Sequence, residues 1–89
     1  MSTTVSPVIF ASEIADGFND LTPSMLDFYS PLELRKIYEG LVIVQREIRS
    51  AYVNREDALS THKKQMKLQR VAEALDILEQ YCHRHRIAV

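Results

Sequence analysis

The segment Tyr81-Cys82-His83-Arg84-His85-Arg86 gathers one thiol and two imidazoles within four residues. These are the groups that ligate zinc, or that act as nucleophile and base. Helical spacing puts Cys82 and His85 on one face at i, i+3 and turns His83 away. The flanking arginines repel a cation, and His62 is the only other histidine. No second Cys/His cluster completes a ligand set, so neither a metal site nor any other cofactor is expected. Catalysis is not expected either. Cys82 and its histidines share one helix, and no glycine-rich turn or oxyanion-hole motif accompanies them. The carboxylates are scattered along helix surfaces without an evident acid–base pair. The chain reads as a non-enzyme.

A second group of residues suggests binding. His62, Lys63, Lys64, Lys67 and Arg70 form a basic cluster. Helical phase carries it into an apolar stripe: Lys63, Lys67, Arg70, Ala74, Ile77 and Tyr81 lie on one face. Such a face complements an acidic, apolar helix, with charge steering and apolar groups anchoring. It is the candidate partner-binding site. The chain contains a segment of that kind, Glu13–Tyr29, so the stripe could also receive its own N-terminal part, in cis or from a partner subunit. The same lysines could bind phosphate, which leaves a nucleic-acid or nucleotide reading open. No aromatic platform or phosphate-cradling loop accompanies them, so that reading is not favoured.

Charge is divided along the chain. Residues 1–30 carry four acids and no Lys or Arg, and residues 31–89 carry eleven Lys and Arg against eight acids. The split favours the N-terminal third lying on the remainder. Cys82, the sole cysteine, excludes an intrachain disulfide. No apolar run approaches the roughly 20 residues that cross a bilayer, and no basic leader precedes Val8–Ala11. A soluble, cytoplasmic location without membrane contact is expected, in the host cytoplasm if a virus encodes the chain.

The elements that position these residues are helices. Leu34, Ile37, Leu41, Val44 and Ile48 recur at spacings of three and four, as do Leu68, Val71, Leu75 and Leu78. Ser30-Pro31-Leu32-Glu33 is a capping-box start, so a first long helix is expected from about Pro31 to about Val53. A turn is expected at Asn54 or at Ser60-Thr61, although nothing there forbids one unbroken helix through residues 54–61, and the last helix runs to about His85. Gly40 sits beside the first seam, where it permits close helix approach or a bend. Upstream, Thr22-Pro23 opens a short helix, and Ser12 caps another through about Asn19. Residues 1–11 read as an extended arm because Val5, Val8, Ile9 and Phe10 favour extended backbone. Ile14, Phe18, Leu26 and Phe28 are expected to anchor the N-terminal segment.

The expected fold is therefore all-α. An acidic arm with short helices (1–30) lies on a long antiparallel hairpin (31–89), forming one domain that assembles into a bundle. The two seams, Leu34, Ile37, Leu41, Val44 and Ile48 with Leu68, Val71, Leu75 and Leu78, are the expected homo-oligomer interface. The functional expectation is a non-catalytic oligomeric interaction protein: an adaptor, small regulator or inhibitor that binds another protein. A structural subunit of a larger assembly is the alternative. Nucleic-acid or nucleotide binding through Lys63–Arg70 is the third reading.

Overall fold

All three prolines of the chain stand at the first position of a helix, where a missing N–H costs nothing and a fixed φ helps. The computed structural model describes residues 6–89 and is all-α. Its helices are α1 (Pro7–Ala15), α2 (Pro23–Leu26), α3 (Pro31–Ser50) and α4 (Ala58–Arg84). Thr22 caps α2 by accepting from the Met25 amide. Ser30 and Glu33 form the full capping box of α3, with Oγ accepting from the Glu33 amide at 3.2 Å and Glu33 Oε1 from the Ser30 amide at 3.0 Å. Asp57 caps α4, accepting from Leu59 and Ser60. Ser30→Ala should cost about 1 kcal/mol and lower Tm by about 4–8 °C for a chain of this size, read by thermal melting.

These caps impose a pH dependence. Hydrogen bonds from Ser30 hold the Glu33 carboxyl below its ordinary value of 4.5, and those from Ser60 hold Asp57 below 3.8. Each stabilisation is complete above the ordinary value and is lost as pH falls through the lowered one. Acidification through this range should fray the first turns of α3 and α4 before the core opens. Amide exchange at residues 32–34 and 58–61 measures it.

The ends of α1 and α4 share one device. After α1, the Gly17 amide donates to Ile14 and the Phe18 amide to Glu13, with Gly17 at φ 84°. After α4, the Arg86 amide donates to His83 and the Ile87 amide to Cys82. Both are Schellman turns. At the second, the left-handed position is held by Arg86 (φ 57°) in place of the usual glycine. Arg86→Gly should therefore raise stability by about 1 kcal/mol, seen as a higher Tm.

Helices α3 and α4 form the antiparallel hairpin. Tyr38 donates to Glu79 at 3.1 Å, and Lys64 donates to the Arg49 and Ala51 carbonyls at 3.1 and 3.0 Å. Lys64 thus neutralises the C-terminal end of α3. Helix α1 packs across this pair. Its first residue, Pro7, meets α3 at Gly40, and its last carbonyl, on Ala15, meets α4 at Arg70. Phe10, Ala11, Ile14 and Ala15 bury between the two long helices. The chain then turns at Gly17 and runs back along α4 through Leu21 and Leu26, both buried, to the start of α3.

Several details differ from the sequence reading. Residues 7–11 are helical, because Pro7 starts α1 and Phe10, Ala11, Ile14 and Ala15 form one buried face. Residues 1–5 of the expected arm lie outside the described residues. Ser12 falls inside α1 and its carbonyl accepts from Asp16, so it caps nothing, and α1 ends at Ala15. Helix α3 stops at Ser50, and Asp57 rather than Asn54 or Ser60 caps α4. Asn54 instead folds the loop on itself, accepting from the Glu56 and Asp57 amides.

The seams close within one chain. Leu34, Ile37, Leu41, Val44, Val71, Leu75 and Leu78 are each at most 8% exposed, and Ile48 packs partly buried against them. Leu68 is half-buried. Helix α1 occupies the place that a second chain would take in a bundle, so burying these side chains needs no second copy.

Candidate protein-binding surface

The stripe on α4 is covered by the chain's own N-terminal segment. Arg70 Nη1 donates to the Ala15 carbonyl at 3.1 Å, and Lys67 pairs with Asp16 at 3.3 Å. Both cations sit at the C-terminal end of α1, where the helix dipole is negative. Ala74 is buried, and Ile77 packs half-buried against the core. Tyr81 donates to Asp27 at 2.6 Å, and this bond raises the tyrosine's pKa above its ordinary value. Lys63 is exposed, one turn beyond the last contact. The stripe thus binds a carboxylate, a backbone carbonyl, apolar side chains and a second carboxylate in order. An acidic, apolar segment is its complement, and residues 14–27 of the same chain supply it.

What the segment leaves open is a cleft of about 290 Å³ between Asp20, Leu21, Arg70 and Glu73. Arg70 is already committed to Ala15, and Glu73 accepts from Gln69. Lys67→Glu combined with Arg70→Glu should loosen the segment, lowering stability by about 1–3 kcal/mol. Faster exchange at residues 16–29 with α3 and α4 intact is the expected signature.

Of the expected anchors, Ile14 and Leu26 are buried, at 3% and 0% exposed. Phe18 and Phe28 are not: they are 79% and 88% exposed. Backbone geometry explains both. Phe18 follows the left-handed Gly17, which swings the chain away from α1. Phe28 precedes Tyr29, the residue just before the Ser30 cap. Tyr29 packs inward, as does Leu34 four residues after the cap, the arrangement of a hydrophobic staple. With Tyr29 inward, Phe28 is left facing solvent. Tyr52, in the α3–α4 loop, is 91% exposed.

The Cys82 thiol is fully buried, and burial pushes its pKa up. It stays protonated and fills the seam as a small apolar group. Tyr81 stacks on His85 with ring centroids 4.2 Å apart, so His85 is turned toward the tyrosine rather than the thiol. Among the described residues no cluster of three His, Cys, Asp or Glu is placed to hold a metal. None of the helices is long and apolar enough to cross a membrane. No family model, curated protein or solved structure matches the chain.

Proposed function

We propose that this chain is a non-catalytic interaction protein, an adaptor, small regulator or inhibitor that acts by binding another protein. The observation that carries this reading is the exposure of Phe18, Phe28 and Tyr52, at 79, 88 and 91%. Three of the seven aromatic side chains stand in solvent on a helical frame whose interior is already filled. Exposed aromatics are the typical anchors of protein interfaces, since they contribute large contact area at low conformational cost. The basic stripe is already occupied by acidic, apolar chain of the same molecule, so an outside ligand there must displace residues 14–27.

Photo-cross-linking tests it. A benzoylphenylalanine at position 18, 28 or 52 should give discrete adducts with another protein in cells that make the chain. The same group at Gln69, on the polar face of α4, should give none. Equal labelling from all four positions would remove the basis for the proposal. Adducts only between copies of the chain would favour a structural subunit of a larger assembly.

A further inference from the structure

We infer that the end of the molecule where the α2–α3 junction meets the last turn of α4 binds an acidic, apolar segment of a partner protein. The inference rests on the protein-binding reading and names the surface and the partner's chemistry. Three segments converge there. Asp27 accepts from Tyr81, Tyr81 stacks on His85, and Arg35 Nη2 donates to the Ala88 carbonyl at 3.5 Å. Two large apolar groups stand out from this junction. Phe28 is 88% and Leu32 59% exposed, on either side of the α3 cap.

Charge selects the occupant. Arg35, Lys36, Arg84 and Arg86 lie on these same segments, and all four are exposed. Lys67–Asp16 is the one ion pair among the described residues, so none of the four makes direct contact with a carboxylate, although Lys36 lies close enough to Glu33 to help lower its pKa. Of the nearby acids, Asp27 is committed to Tyr81 and Glu33 to the α3 cap, and Glu39 stands one turn further along α3. A second copy placed face to face would bring like charges together, which disfavours self-association through this end. A segment with Leu or Phe on one face and Asp or Glu beside it fits both features: Phe28 and Leu32 anchor, and the cations steer. Arg86 strengthens the argument. Its left-handed backbone favours glycine, yet the chain holds a guanidinium there.

Selection from a random peptide display library tests the assignment with the full chain as bait. Enriched peptides should carry net negative charge with Leu or Phe at helical spacing. Phe28→Ser should weaken them by at least about tenfold. Arg86→Gly should weaken them roughly two- to fivefold at low salt while raising Tm, a pairing that misfolding cannot produce. Enriched peptides that bind Phe28→Ser unchanged would overturn this surface and leave the protein-binding reading standing. Failure to enrich any acidic peptide would overturn the inference, while cross-linking from positions 18 and 52 judges that reading separately. A fluorescent oligo-dT strand that binds the wild type with a steep salt slope and outcompetes the peptides would also overturn it, reassigning the end to nucleic acid.

Discussion

Leu41→Asp should abolish the folded state, while Ile43→Asp, two residues along the same helix, should leave it intact. Leu41 is completely buried at the centre of α3, under α1 and against α4. Truncating a buried leucine costs about 2–5 kcal/mol. A carboxylate placed there also loses its hydration and finds no partner, because no buried polar or charged side chain stands among the described residues. The sum reaches the total stability of about 5–15 kcal/mol expected of a small domain. Ile43 is 42% exposed, so an aspartate there keeps its water. Circular dichroism at 222 nm should show a cooperative melt for Ile43→Asp and none for Leu41→Asp. Equal melts would mean that the interior does not close over Leu41.

This contrast shows what a sequence of this kind makes legible. Spacings of three and four fix which face of α3 and α4 is apolar, because a helix repeats every 3.6 residues whatever it packs against. They do not say what covers the face. The seams alone fit a second hairpin as well as a third helix, and only the placement of α1 decides between them. The signal for α1 was present, in Phe10, Ala11, Ile14 and Ala15 at i, i+1, i+4 and i+5, with Pro7 at the first position. Local β-propensity in Val8-Ile9-Phe10 pointed the other way. Burial of the helical face prevailed, as tertiary packing commonly does over propensity.

The stripe and the C-terminal end differ in the same respect. Lys67, Arg70, Ala74, Ile77 and Tyr81 share a face by helical phase alone, and their complement was visible in the acids of residues 13–27. Phe28 was harder. One aromatic follows another, and only the staple between Tyr29 and Leu34 decides which faces inward. Arg86 carried no signal at all, since sequence leads one to expect Gly or Asn in its backbone conformation. Its place at the same end of the molecule as Phe28 and Arg35 depends on contacts more than 50 residues apart in the chain, from Asp27 to Tyr81 and from Arg35 to Ala88.

Gly40→Leu should detach α1 from the hairpin, although it improves the intrinsic helicity of α3. A Cβ at position 40 would stand 2.6 Å from the Pro7 carbonyl oxygen and 2.8 Å from its carbon. Those are backbone atoms at the start of a helix, so no rotamer change relieves the contact, and α1 itself must move. Replacing a mid-helix glycine normally stabilises by about 1 kcal/mol. Overpacking a close contact costs about 1–3 kcal/mol, and leucine exceeds a single methyl. The clash therefore prevails and the sign reverses. As α1 lifts, Phe10 and Ile14 leave the groove, and the Arg70 and Lys67 contacts at its far end lose their partners. Protection of the amides at 10–15 should collapse, dye binding to exposed apolar surface should rise, and helicity in α3 should persist. Gly40→Ala should show a smaller loss in the same direction. A rise in Tm for Gly40→Ala would mean that Pro7 does not rest on α3, and the placement of α1 would have to be abandoned.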